Sequence, residues 1–138
     1  MSKVCIVTGA SRGLGRGIAK VLAEERSATV YATARSEAAL NDLASSIKGN
    51  TGVIHPVVLD QSDDSAVEKF ITTVAEKEGR IDLLVNSAYG GLTAMTPHFG
   101  KPFWERPISV FDASIDIGLR SAFVSSAIVA PHMVSQKS

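Results

Sequence analysis

The sequence predicts a doubly wound α/β architecture, a parallel sheet with helices on both faces, and three observations predict it. Strand-like and helix-like segments alternate four times between Val4 and Asn86. The connections between them are short, which is how right-handed β-α-β units are written. A glycine-rich turn, Gly9 to Gly15, joins the first strand to the first helix.

Each element follows from local chemistry. Val4 to Thr8 is a short β-branched run entering the glycine turn, hence a buried strand. Leu14, Ile18, Val21 and Leu22 recur at helical spacing, so the period switches there from strand to helix. Ala28 to Thr33 is the second strand, and Ser36 is a good N-cap for a helix whose apolar face is Leu40, Leu43, Ala44 and Ile47. Lys48-Gly49-Asn50-Thr51-Gly52 ends that helix and turns the chain into a third strand, Val53 to Leu59. Pro56 lies inside it and removes a ladder donor, which predicts a position at the sheet edge.

Ser62 is the expected cap of a third helix presenting Val67, Phe70, Ile71 and Val74, with Gly79 closing it before a fourth strand, Ile81 to Asn86. Residues 89–107, with three prolines, three glycines and the pair Phe103-Trp104, read as a long irregular insertion loop. Ser109 and Asp112 match a capping box opening a long last helix with Phe111, Ile115, Leu119, Ala122 and Ser126 on one face. Pro131 should kink or end it.

Composition narrows the function. The 138 residues suffice for one compact domain, 1–138, with one core. Lys plus Arg and Asp plus Glu both number 14, so no excess charge is available to hold nucleic acid or an anionic membrane. Cys5 is the single cysteine, which excludes an internal disulfide and a zinc-binding cysteine cluster; it reads as a small buried hydrophobe. His55, His98 and His132 are scattered without metal-ligand spacing, so no metal site is expected. Apolar stretches are broken by polar residues within about ten positions, short of the roughly 20 a membrane helix needs. No basic leader precedes the first strand, and the expectation is an intracellular, cytoplasmic protein.

The chemistry begins at Thr8-Gly9-Ala10-Ser11-Arg12-Gly13-Leu14-Gly15, after a strand and opening a helix. Glycine lets the backbone turn sharply and approach a pyrophosphate, whose charge meets free N–H groups and the positive helix end. An ordinary strand-to-helix turn is the competing reading of a glycine pattern, and the flanking strand and helix favour nucleotide binding.

The spacing TGxxxGxG resembles that of the short-chain dehydrogenase/reductase family. Asp60 with Gln61 after the third strand, Asn86-Ser87-Ala88-Tyr89 after the fourth, and Asp116-Ile117-Gly118-Leu119-Arg120-Ser121 resemble further landmarks of that family, in order. Phe103-Trp104-Glu105, the Asn-x-Ala-Tyr variant and Gly118 point to one particular branch of it. The resemblance implies a Rossmann-type sheet in the order 3-2-1-4, truncated after about four strands. It implies a dinucleotide held by Thr8, Gly9, Ser11, Arg12, Gly13, Leu14, Gly15, Gln61 and Ala88, with Asp60 at the adenine and Asn86 helping to hold the central strands and lining the cleft. For Asp60, a role in starting the next helix is the competing reading, and for Asn86 a role in a turn.

Charge indicates which dinucleotide. A carboxylate at the end of the second strand would repel a 2′-phosphate. Here that position is Ala34, followed by Arg35, and Arg12 sits in the glycine loop. Each arginine alone could be a solvated surface charge; together, without an acid, they favour NADP(H) over NAD(H).

The family's catalytic tyrosine begins a Tyr-x-x-x-Lys motif and is accompanied by a serine. Only Tyr31 and Tyr89 occur here, with Arg35 and Thr93 four residues on, so neither begins the motif, and Gly118 stands where the family has an asparagine. No catalytic residue is therefore assigned. The expected function is the cofactor-binding half of an NADP(H)-dependent oxidoreductase of small carbonyl or alcohol substrates, inactive alone. The alternative is a non-catalytic form that binds nucleotide or a partner chain. A response-regulator-like domain would need an acidic cluster that Asp60 lacks. In the 3-2-1-4 order the fourth strand, Ile81 to Val85, is an open hydrophobic edge, which predicts self-association.

Overall fold

The computed structural model describes residues 2–49 and 52–137, so Asn50 and Thr51 of the expected turn, with Met1 and Ser138, lie outside the described residues. Four parallel strands, β1 (Val4–Thr8), β2 (Thr29–Ala34), β3 (Val53–Val58) and β4 (Leu83–Val85), pair in the order β3-β2-β1-β4. Helices α1 (Gly13–Arg26), α2 (Glu37–Ser45) and α3 (Asp64–Glu78) connect them. The fold class and strand order expected from the sequence are those observed. Pro56 lies opposite Ala32 on β3, the edge strand, where its missing N–H costs no ladder bond to a further strand.

β1 is buried along its whole length, and its alternate residues serve two cores. Cys5 and Val7 pack with Val30, Ala32, Leu40 and Leu43 beneath α1 and α2, while Val4 and Ile6 pack with Val67, Ile71, Val74 and Val129 on the opposite face. Burial on both faces is what a parallel sheet requires of its central strand. Cys5 is free and buried; burial, reinforced by the Asp82 carboxylate, pushes its thiol up to about 11, so it stays protonated and inert. β1 and the segment leading into β4 are clamped by Asp82, which accepts from the Val4 N–H at 2.9 Å, from Lys3 at 3.1 Å and from Arg80. Burial raises its pKa, yet those donors prevail and hold the carboxyl at about 2.

Several local expectations change. The face of α1 turned to the sheet is Gly15, Ala19 and Ala23, whereas Leu14, Ile18 and Val21 are exposed, Leu14 at 81 %. Small residues allow the helix to approach the sheet closely, and of the larger ones only Leu22 packs partly against the core. α3 is capped by Asp63, which accepts from the Ala66 N–H at 3.0 Å, not by Ser62; Gly79 closes it in the left-handed conformation as expected. β4 is three residues long and does not reach Asn86.

The segment 89–107 is partly ordered: it contains α4 (Gly91–Met95) and two 3-10 turns, Thr96–His98 and Phe103–Glu105. The last helix begins at Ile108 with Pro107 at its N-cap, so Ser109 lies in the first turn and no capping box forms. It runs as α5 (Ile108–Ser114), a π-helical segment Ile115–Arg120 and α6 (Ser121–Gln136). The π segment rotates the faces of the helix, because its turns hold more residues. Val110, Ser121, Ser125 and Val129 are therefore inside, while Phe111, Leu119 and Ser126 from the expected face are exposed.

Nor does Pro131 stop it, since α6 continues to Gln136. The Gln136 side chain accepts from the Ile81 N–H at 2.9 Å and donates to its carbonyl at 3.0 Å, and Val129 is buried on the other side of the proline. Both flanks are thus pinned. By length and composition the helix Ile108–Gln136 meets the requirement for crossing a membrane, unlike the broken apolar stretches expected from the sequence. Here it packs along the sheet through α3 and Val129.

Candidate functional site

The carboxyl ends of the four strands open into a cleft of about 740 Å³. From β1 the chain turns at Gly9, with φ +66°, and Gly13, with φ +58°, values that favour glycine. At Gly9 a Cβ would lie 2.7 Å from the Ala88 backbone, and at Gly15 2.5 Å from the Gly9 carbonyl oxygen. Neither position has room for a side chain. The turn is held against β4 by Thr8, whose hydroxyl accepts from the Ser87 and Ala88 N–H groups at 3.1 Å each. α1 then starts with no side-chain cap and no acidic residue in its first turn, so its leading N–H groups and positive end face the cleft without a competing anion.

Of the candidate cofactor-binding residues, Gly9, Ser11, Arg12, Gly13, Leu14, Arg35, Asp60, Gln61 and Ala88 line this cleft. Thr8, Gly15 and Asn86 do not. Thr8 and Gly15 shape the turn from behind, and the Asn86 amide donates to Ser126 Oγ at 3.0 Å and the Ala122 carbonyl at 3.4 Å, joining the end of β4 to α6. Asn86 thus acts as a strand-to-helix tie. The carboxylate of Asp60 accepts from the Ser62 N–H at 2.9 Å and its hydroxyl at 2.7 Å. These two bonds, with the charge of Arg35, hold its pKa below the usual carboxylate range. It serves the turn before α3 while also facing the cleft. Gln61 is buried between Thr33 and Ser125, whose hydroxyl donates to its side-chain oxygen at 3.2 Å.

The two arginines do not share a partner. Arg12 reaches across the cleft and donates to Thr93 Oγ1 at 3.2 Å, while the charge of Arg35 bears on Asp60. Ala34 lines the cleft beside Arg35, so no acid stands at the end of β2.

The far wall was not legible as a site. Tyr89, Gly90, Leu92, Thr93, Ala94, Ala113 and Ile117 form it, carried by α4, α5 and the π segment. Ser114 donates to the Val110 carbonyl at 2.8 Å, and its oxygen lies 3.1 Å from the Tyr89 hydroxyl. Because serine has one hydroxyl proton, Tyr89 is the donor in that pair. The Asn86-Ser87-Ala88-Tyr89 run and the Asp116 to Ser121 segment, which carries Ile117, were the sequence signals for this wall. Among the described residues no group of three or more His, Cys, Asp or Glu could hold a metal ion.

The uncapped helix end, the glycines without room for a Cβ and two cationic side chains on one cleft are what an open α/β sheet offers a dinucleotide. The sequence model of the short chain dehydrogenase family matches residues 3–138, and the chain belongs to that family of NAD(P)-binding oxidoreductases. It is 43% identical over 133 residues to the dehydrogenase/reductase SDR family member 1 of Mus musculus, and 42% identical to that of Homo sapiens, the branch to which Phe103-Trp104-Glu105, Tyr89 and Gly118 point. Each match covers 96% of this chain and 42% of the relative, so the chain spans less than half the length of these relatives. A metagenomic short-chain oxidoreductase solved in complex with NADP superposes with a TM-score of 0.81 at 31% identity, covering 99% of this chain and 59% of that one.

Proposed function

We propose that this chain forms the cofactor-binding half of an NADP(H)-dependent oxidoreductase acting on small carbonyl or alcohol substrates. The observation that carries the reading is the uncapped start of α1 behind Gly9 and Gly13, with Arg12 and Arg35 on the same cleft and Ala34 in place of an acid at the end of β2. Backbone N–H groups and the helix end would receive the diphosphate. Arg12, on exchanging Thr93 for a charged acceptor, and Arg35 would receive the ribose 2′-phosphate, and Asp60 and Gln61 would border the adenine. The NADP complex of a similar oxidoreductase supports this choice of cofactor.

When bound, the nicotinamide ring supplies the hydride donor or acceptor. The chain's own residues bind and orient. Tyr31, one of its two tyrosines, is buried in the sheet, where it donates to Glu78 at 2.6 Å and accepts from Lys77 at 3.0 Å, away from the cleft. Tyr89 is the other, and neither has a lysine four residues on. A polypeptide of these 138 residues is accordingly proposed to bind NADPH without turning over.

Calorimetric titration with NADPH and NADH, followed by absorbance assays with dicarbonyl, quinone and steroid substrates, tests the reading. NADPH bound more tightly than NADH, without turnover, is the expected result. Failure to bind either nucleotide overturns it.

A further inference from the structure

We propose that Tyr89 is a positioning residue, a rigid aromatic wall against which the nicotinamide-riboside end of the dinucleotide packs, an assignment that rests on the cofactor reading above. The order of the strands gives the direction. Arg35 follows β2 and Asp60 follows β3, on one side of the glycine turn, whereas Ser87, Ala88 and Tyr89 follow β4 on the other. A dinucleotide with its diphosphate at the turn and its adenosine toward Arg35 and Asp60 has only the Tyr89 side left for its second nucleoside.

Tyr89 is built into that side. Its hydroxyl is anchored by donation to Ser114, which spends its own proton on Val110. Its ring lies beside Gly118, where a Cβ would stand 3.1 Å from Cδ2, and Gly91, where a Cβ would stand 2.3 Å from the hydroxyl oxygen. Side chains at 91 and 118 would therefore displace the ring. With 49 % of the residue still exposed, the free portion borders the cleft. An aromatic side chain held at its tip and along one edge offers a preformed apolar surface to a planar ring, with little entropy left to lose.

Two ligands separate this role from general structural support: NADPH, which has both ends, and adenosine 2′,5′-bisphosphate, which carries the adenosine end alone. Titrated into the 138-residue chain, Tyr89→Ala is expected to weaken NADPH about tenfold while leaving the bisphosphate within about twofold of the parent chain. Tyr89→Phe, which keeps the ring, should retain NADPH affinity within about threefold. Gly118→Ala adds a Cβ against Tyr89 in a helix that tolerates alanine, and should lower NADPH affinity selectively without unfolding the chain. If the parent chain binds both ligands and Tyr89→Ala and Gly118→Ala lose both equally, or lose neither, the assignment of Tyr89 fails while the cofactor reading stands. If the parent chain binds neither ligand, the cofactor reading itself fails, and this assignment with it.

Discussion

Arg12 on the glycine turn and Thr93 on α4 are hydrogen-bonded at 3.2 Å, closing one side of the cleft with a cation on a neutral acceptor. A phosphate is a stronger acceptor for a guanidinium than a hydroxyl. The bond therefore competes with the proposed 2′-phosphate contact and with nothing in NADH. Thr93→Val should raise NADPH affinity about two- to fivefold and leave NADH unchanged, as measured by calorimetry. A gain shared by both nucleotides would show that Thr93 acts on the shape of α4.

Cofactor choice should reverse at the end of β2. Arg35→Asp places a carboxylate where Ala34 and Arg35 now leave none. NADPH affinity should fall at least about tenfold through repulsion of the 2′-phosphate, with NADH equal or better. Unchanged discrimination would remove Arg35 from the assignment.

Two glycines of α1 should respond in opposite directions. Gly15→Ala sets a Cβ 2.5 Å from the Gly9 carbonyl oxygen, a backbone atom that cannot move aside cheaply, and should cost about 1–3 kcal/mol and abolish nucleotide binding. Gly17→Ala meets nothing within 4 Å and lies within the helix, so it should stabilise the chain by up to about 1 kcal/mol. Urea unfolding of both variants measures the contrast, and equal stabilities would refute the close-approach argument.

Acid should act through Asp82. Its side chain is 6% exposed and its folded pKa is about 2, below the value near 4 of an unfolded aspartate. A depressed folded pKa contributes stability above the unfolded value, and that contribution is lost as pH falls from about 4 toward 2. The loss is about 2 kcal/mol. Asp82→Asn should flatten this acid limb in urea midpoints taken across the interval; an unaltered limb would assign the acid sensitivity to other carboxylates.

The outer side of β4 carries no strand in the described sheet, and Leu83 is 38 % exposed there. Unpaired backbone groups beside apolar side chains favour association. The 138-residue chain should sediment as dimers or larger species, and Leu83→Lys should shift it toward monomer. A parent chain that stays monomeric at high concentration would contradict the edge argument.

The amino-acid sequence determined the four strands and the helices α1, α2 and α3 between them, the edge position of β3 and the glycine turn, because each depends on neighbours a few residues apart. Pro56 cannot donate wherever it lies, and Gly9 and Gly13 can take a positive φ whatever surrounds them. The inner faces of α2 and α3 were legible too, since Leu40 and Leu43, and Val67, Ile71 and Val74, are buried as their spacing predicts, whereas tertiary structure decided which faces of α1 and of the last helix are inside. Leu14, Ile18 and Val21 are as periodic as a core face, yet the sheet takes Gly15, Ala19 and Ala23 with Leu22 packed partly against the core, since Gly15 approaches the Gly9 carbonyl too closely for a larger side chain. Likewise the π segment rotated the last helix, and packing at Val129 and Gln136 carried it through Pro131. The far wall of the cleft followed from the same cause: Tyr89, Ala113 and Ile117 meet only because the fold brings α5 and the π segment over the end of β4. Contacts between residues far apart in the chain leave no local periodicity to read.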